Sequence, residues 1–364
     1  MPVSREQVIA ALKTVQDPEL FKDLVTLNMV KDVRVDGDRV AVTVELTTPA
    51  CPKKDQLEAD IRRAVLAAGA TEVAVQLTAN TRGAAPGGPG GGGAGPRSVL
   101  PQVKNIVAVG AGKGGVGKST VATNIAVGLA RTGAAVGLMD GDIYGPSLPT
   151  LLGIKGKTPA VRGNKILPFH VHGVHAITIG SLVEEEKPLI WRGPMAHGAF
   201  KQLLADNTEW PALDYLIVDL PPGTGDVPLT LCQLLPLTGA VVVATPQQVA
   251  LDDAVRAVRM FQQLGAPILG MVENMSYFVA PDGSEHDVFG RGGTQQAAQR
   301  LGLAYLGAIP MFTALRVNSD AGNPSANFEG DAKLRDALMG VTQNLAGQVS
   351  LRNMTVPTPT LNIS

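Results

Sequence analysis

Asn105-Ile-Val-Ala-Val-Gly-Ala-Gly-Lys-Gly-Gly-Val-Gly-Lys-Ser-Thr120 decides the fold. Ile106 to Val109 is a short β-branched apolar run that reads as a buried strand, and Val121 to Ala130 reads as a helix. Between them, Gly112, Gly117, Lys118 and Ser119 fit the Gly-x-x-x-x-Gly-Lys-Ser phosphate-loop pattern, in the strand–loop–helix setting that the pattern requires. Without side chains at Gly112, Gly114, Gly115 and Gly117, the backbone can wrap a phosphate and aim its N–H groups inward. The helix behind adds the positive end of its dipole. The candidate nucleotide-binding segment is therefore Gly112, Lys113, Gly114, Gly115, Val116, Gly117, Lys118, Ser119 and Thr120. Lys118 is expected at the β- and γ-phosphates and the Ser119 hydroxyl at Mg²⁺. The plain alternative is a glycine-rich βα turn. The stretch implies binding of a nucleoside triphosphate.

Downstream, strands alternate with helical stretches: Ile106–Val109, Ala135–Met139, Tyr215–Val218, Ala240–Ala244, Ile268–Val272 and Tyr305–Ala308. Such alternation predicts an α/β fold, a mainly parallel doubly wound sheet with helices on both faces and ligands at the carboxyl ends of its strands. Candidate acids fall at those ends. Leu216-Ile-Val-Asp219 is an apolar run ending in a carboxylate suited to the Mg²⁺ shell, and the loop Pro221 to Asp226 could sense the γ-phosphate. Asp140 and Asp142 follow another strand, and Asp142 is the choice for orienting the attacking water. Residues 158–179 read as a β-rich excursion, with turns at Gly163-Asn164 and His172-Gly173. Leu334, Leu338, Val341 and Leu345 have helical spacing, and 351–364 reads as a tail.

Upstream, Ser4-Arg-Glu-Gln7 is a capping box for a helix with apolar positions Val8, Ile9, Leu12 and Val15. Val30 to Val35 and Arg39 to Leu46 alternate around Asp36-Gly37 as a hairpin; Pro52 to Leu66 is a second helix and Thr71 to Leu77 a third strand. This αββαβ pattern makes 1–80 a small α+β domain of its own. The run from Gly83 to Pro96 cannot bury a core, so 81–103 reads as a linker, leaving 104–350 for the phosphate-loop domain.

With 364 residues, the chain has room for two domains. A formal net charge of −1 gives no electrostatic case for nucleic acid or an anionic membrane. The first residues show no signal pattern, and no apolar run approaches membrane-spanning length. Cys51 and Cys232 stand alone, which excludes a disulfide framework and fits a reducing cytoplasm.

Lys113 extends the pattern to Gly-Lys-Gly-Gly-Val-Gly-Lys-Ser-Thr, which resembles the deviant phosphate loop of the MinD/ParA/nitrogenase-reductase ATPases. That resemblance implies a homodimer with ATP between the subunits, Lys113 reaching the other subunit's nucleotide. Asp140-Gly-Asp-Ile-Tyr-Gly-Pro-Ser147, Trp191-Arg-Gly-Pro-Met195, Asp219-Leu-Pro-Pro-Gly-Thr-Gly-Asp226 and Val272-Glu-Asn-Met-Ser-Tyr277 together resemble the Mrp/ApbC family of iron–sulfur cluster carrier ATPases. Asp17-Pro-Glu-Leu20 and Thr48-Pro-Ala-Cys51-Pro52 are similar to the small iron–sulfur-assembly domain often fused to them. The likeness spans nearly the whole chain apart from linker and tail. It implies ATP and Mg²⁺ as cofactors and catalysis by Lys113, Lys118 and Asp142. It also implies Mg²⁺ on Ser119 and Asp219, adenine read by Asn274, and apo iron–sulfur proteins or assembly factors as clients.

One departure is serious. The family usually follows Asn-Met-Ser-Tyr-Phe with a Cys-Pro-x-Cys pair that bridges a cluster across the dimer. Here Ala280 and Gly283 stand at those positions, so that site cannot form. Cys51 lies before an expected helix N-terminus with Lys53 and Lys54 nearby, an environment that favours a thiolate. It is the candidate cluster, metal or redox contact, with a structural cysteine as the alternative. Cys232 sits in an apolar helical stretch and reads as core; Asp282, Glu285, His286 and Asp287 read as a solvated loop. The sequence thus leaves two readings: a cluster carrier with a relocated cargo site, or a nucleotide-switched scaffold or regulator of the MinD/ParA class. Membrane and DNA positioning are disfavoured by the final helix and by the lack of a basic run.

Overall fold

The computed structural model describes residues 3–17, 22–50, 53–79, 81, 100–142, 145–178 and 207–355. Cys51, Trp191 to Met195 and the whole Gly/Pro-rich run from Gly83 to Pro96 lie outside the described residues. The chain divides into two compact units, Met1–Arg82 and Gly83–Ser364.

In the first unit, α1 (Arg5–Leu12) opens with the expected capping box. Gln7 N donates to Ser4 Oγ at 3.2 Å and Ser4 N to Gln7 Oε1 at 2.8 Å. The strands β1 (Val30–Asp36) and β2 (Arg39–Leu46) pair antiparallel around Asp36-Gly37, where Gly37 takes φ +61°. The helix α2 (Lys54–Ala67) then crosses over to β3 (Glu72–Ala79), which runs parallel to β2. Its one-face spacing buries Leu57, Ile61 and Val65 against the sheet residues Val33, Val42, Val44 and Val73. Each such side chain, fully buried, contributes about 1.5–3 kcal/mol.

The second unit is the predicted doubly wound sheet. Its strands are β4 (Val103–Gly110), β5 (Val136–Asp140), β8 (Phe169–Val171), β9 (Val174–Thr178), β10 (Leu213–Asp219), β11 (Gly239–Ala244), β12 (Ile268–Val279), β13 (Glu285–His286) and β14 (Tyr305–Met311). They line up as β13-β12-β11-β4-β10-β5-β9-β8, with β14 also on β12. All these pairings are parallel except β12·β13 and β8·β9 at the two margins. A separate hairpin of β6 (Val161–Arg162) and β7 (Lys165–Ile166) turns at Gly163-Asn164, and β8 and β9 turn at His172-Gly173.

Central strands read as continuous apolar runs because helices cover both faces. The elements α3 (Lys118–Arg131), α4 (Leu148–Leu151), α5 (Asp226–Leu234), α6 (Gln248–Gln263), α7 (Gly293–Leu301), α8 (Thr313–Asp320) and α9 (Ala332–Thr355) are the helices described. On α6, Leu251, Ala254, Val258 and Phe261 form one buried stripe. Phe261 reaches under Gly110, where an added Cβ would lie 2.7 Å from its ring. That contact seats the strand that feeds the phosphate loop.

Two elements run longer than their patterns suggest. The helix α9 buries Leu334, Leu338, Val341 and Leu345 as expected, then continues over 351–355, where a tail was expected. Val349 is buried just before this extension, and within it Asn353 Nδ2 donates to Asn105 Oδ1 at 2.8 Å, which holds the extra turn to β4. The strand β12 passes Val272 and ends only at Val279, with a register break after Asn274 where Met275 adopts φ 53°. Period-2 reading stops at such an irregularity.

Candidate nucleotide-binding site

The loop between β4 and α3 is shaped by its neighbours. At Gly112 a Cβ would lie 2.1 Å from the Asp253 carbonyl, so α6 leaves room for glycine alone. Gly115 and Gly117 adopt φ +81° and +76°, a region that glycine enters without strain. Lys118 and Ser119 follow as the first residues of α3, with the helix dipole directed at the loop.

Parallel register brings the acids to this loop. Asp219 ends β10, next to β4 on one side and opposite Asp140 of β5 on the other. Lys118 Nζ donates to Asp219 Oδ1 at 2.5 Å and to Ser119 Oγ at 3.1 Å. Asp219 is fully buried, and its Oδ2 has no hydrogen-bond partner. An orphaned carboxylate oxygen beside a serine hydroxyl fits a hard divalent cation with oxygen ligands. Burial raises the Asp219 carboxyl from its ordinary range, with Lys118 opposing.

Asp140 is fully buried and braces the loop that carries Asp142. Its Oδ1 accepts the Asp142 N–H at 3.1 Å, and its Oδ2 accepts the Leu148 N–H at 3.2 Å and the Thr178 hydroxyl at 3.1 Å. Asp142 Oδ1 accepts the Gly145 N–H at 3.2 Å. Both ends of the 142–148 segment therefore hang from one carboxylate, a role that sequence reading did not assign to Asp140. Burial and the Asp219 charge push Asp140 up to about 7. A carboxyl raised on folding takes up a proton, so its contribution to stability is lost as pH climbs from about 4 through 7. Without nucleotide or metal, Asp140→Asn should melt near wild type at pH 4–5 and above it beyond pH 7. Thermal melts across that range test the sign.

Asn274 lies on the other flank. It is 5% exposed, and its Nδ2 donates to the Val116 carbonyl at 2.8 Å, clipping β12 to the phosphate loop. Next to it is a cavity of about 520 Å³ bordered by Gly117, Thr120, Asn274, Phe278, Phe312 and Arg316. An apolar cavity at the end of a phosphate loop, with few polar groups, suits a nucleoside. Glu273, the residue before, is fully buried and was not singled out by sequence. It accepts the Gly292 and Thr294 N–H groups at 2.9 and 2.8 Å and the Ser276 hydroxyl at 2.5 Å, capping α7. A charged residue inside the apolar run Met271-Val-Glu-Asn was the available signal.

Ala280 and Gly283, at the missing cysteine positions, close a tight turn: Gly283 N donates to Ala280 O and Ala280 N to Ser284 O, both at 2.9 Å. Arg291 staples this hairpin by pairing with Glu285 and Asp287 and lying 3.9 Å over the Tyr277 ring. Glu285 and Asp287 are thus ion-paired to arginine. Lys113 is half-buried in the loop. Cys232 is half-buried on α5, and burial pushes its thiol up to about 12, which makes it a poor thiolate donor.

Residues 102–346 match the family model of the NUBPL iron-transfer P-loop NTPases. The chain belongs to this iron-transfer P-loop NTPase family. Residues 5–77 also match the iron–sulfur cluster assembly protein family. Relatives of the whole chain include proteins named iron–sulfur cluster carrier protein. The one from Synechocystis is 46% identical and covers 96% of this chain and 99% of its own length. The one from Deinococcus radiodurans is 47% identical, covering 96% of this chain and 97% of its own. Among solved structures, a nucleotide-binding protein from Archaeoglobus fulgidus in complex with ADP is similar, at TM-score 0.56 and 36% identity. It covers 62% of this chain and 89% of that one. The cell division ATPase MinD of Pyrococcus furiosus, at TM-score 0.51 and 23% identity, covers 66% of this chain and 97% of its own and shares the fold.

Proposed function

We propose that this NTPase binds ATP with Mg²⁺, hydrolyses it slowly as a cytoplasmic homodimer, and transfers iron–sulfur clusters to apo-proteins. The reading rests above all on the Lys118–Asp219–Ser119 constellation beneath a glycine loop. The proposed division is a small domain over 1–80, a linker over 81–103 and an ATPase domain that begins at 104 and runs past 350 to the end of α9.

In this reading the N–H groups of Gly114 to Thr120 and the α3 dipole neutralise the triphosphate. Lys118 leaves Asp219 to follow the β- and γ-phosphates, and Asn274 reads the base. Ser119 and Asp219 would hold Mg²⁺, which offsets charge on the phosphates when bound. Asp142, presented by the loop that Asp140 braces, orients the attacking water. Lys113 completes the charge at the other subunit's phosphate. Lys113→Ala should therefore lower turnover about a hundredfold while nucleotide affinity changes only a few-fold. Turnover by phosphate release and affinity by calorimetry separate the two. Unchanged turnover would sink the assignment.

The cluster is cargo, and its ligands must come from elsewhere than Ala280 and Gly283. Cys51 is our candidate, with client thiolates completing the set. The structural turn at 280–284 specifically favours a second reading, a nucleotide-switched scaffold that carries no cluster.

A further inference from the structure

A directional chain of three amides, two of them buried, links the phosphate-loop helix α3 to α8, which borders the nucleoside cavity. Asn318, on α8, donates through Nδ2 to Asn327 Oδ1 at 3.0 Å. Asn327, fully buried in the 3₁₀ turn Pro324–Phe328, donates through Nδ2 to Asn124 Oδ1 at 2.9 Å. Asn124, on α3 and 2% exposed, donates through Nδ2 to the Thr120 carbonyl at 2.8 Å. Each amide carbonyl accepts from the next nitrogen in turn.

The helices at the two ends of the chain, α3 and α8, both border the cavity, although Asn318 itself does not line it. Thr120 lies on its phosphate side, and Thr313, Leu315, Arg316 and Ser319 of α8 form the opposite wall. Buried amides cost free energy unless paired, and an apolar trio of similar size could fill the same space. What the polar chain adds is register. It fixes α8 at one distance from α3, because any slip leaves a buried N–H or carbonyl unpaired. Other polar contacts on that wall do not reach α3: Ser319 Oγ donates to the Leu315 carbonyl within α8 at 2.6 Å, and the Arg316–Asp320 pair is solvent-exposed and therefore weak.

We propose that Asn327 is a positioning residue that sets the width of the nucleoside cavity, and so governs binding of the base and ribose without touching the triphosphate. The inference rests on reading the cavity as the nucleoside subsite. Asn327→Ala strands the Asn124 carbonyl and the Asn318 amide and lets α8 move.

The test compares two ligands that share a triphosphate and differ in the nucleoside: Mg²⁺ with a non-hydrolysable ATP analogue, and Mg²⁺ with tripolyphosphate. Calorimetry or displacement of a fluorescent nucleotide gives both affinities. In Asn327→Ala the nucleotide should weaken about tenfold, while tripolyphosphate stays within about twofold of wild type. In steady state, KM for ATP should rise with little change in kcat. Asn318→Ala cuts the same chain at its half-buried end, where folding is not at stake, and should shift the ratio in the same direction. Equal weakening of both ligands, or no change in either, overturns the proposal. A wild-type chain that shows no preference for the nucleotide over tripolyphosphate would overturn the subsite reading and this inference with it.

Discussion

Lys118→Ala should reduce ATP hydrolysis about a thousandfold, to the background of the assay. The side chain is 7% exposed and lies 2.5 Å from Asp219 Oδ1, the carboxylate proposed for Mg²⁺. Removing it deletes charge that the phosphates need and leaves a fully buried carboxylate without its partner. The second loss predicts a stability change distinct from a catalytic one. Breaking one side of a buried ion pair costs about 3–5 kcal/mol unless the remaining group takes a proton. The nucleotide-free variant should therefore melt well below wild type near neutral pH and recover in part as pH falls. Phosphate release and thermal melts on the same preparation measure both. Full turnover in the variant would refute the phosphate-loop assignment.

Asp219→Asn should also remove turnover, yet strengthen binding of ATP in the absence of Mg²⁺. In the free protein Asp219 holds Lys118, which also donates to Ser119 Oγ, so a triphosphate must draw the lysine away before it can use it. An amide at 219 weakens that grip and removes the carboxylate that would ligate Mg²⁺. Wild-type affinity should rise with Mg²⁺, and the variant's should become nearly independent of it. Fluorescent-nucleotide titrations with EDTA and with Mg²⁺ separate the two. Equal Mg²⁺ dependence in both proteins would show that Asp219 does not couple metal to nucleotide.

What could be read from sequence here was local chemistry. The phosphate loop is written in contiguous glycines whose job is to permit backbone shapes, so Gly112 to Thr120 announce themselves. The strands were legible for the same reason, since a sheet buried on both faces demands uninterrupted β-branched runs. The small domain was legible from its caps and alternation. The relations between distant segments were not. Lys118 and Asp219 meet because β10 lies beside β4, and nothing near either residue states that register. The brace by Asp140 depends on where Leu148 and Thr178 return, and the Asn124–Asn327–Asn318 chain joins three helical segments. Glu273 could have been suspected from a charge in an apolar strand, but its partners at Gly292 and Thr294 come from the fold.

The cargo question divides along the same line. The absence of thiolates at 280 and 283 is plain in the sequence, and the structure shows why the segment stands without them. Backbone bonds from Ala280 to Gly283 and Ser284, and the Arg291 staple, close the hairpin on their own. A carrier built this way must take its cluster elsewhere. Cys232, its thiol raised by burial, is badly suited to the task, which leaves Cys51.

Anaerobic reconstitution of the full chain with iron and sulfide, beside a Cys51→Ser control, tests this most directly. Iron content and visible absorbance per chain are the readouts, with ATP hydrolysis measured on both proteins. A cluster present in wild type and lost in Cys51→Ser, with hydrolysis equal in the two, is the result the carrier account predicts. Wild-type protein that hydrolyses ATP and binds no iron would contradict it and leave the nucleotide-switched scaffold.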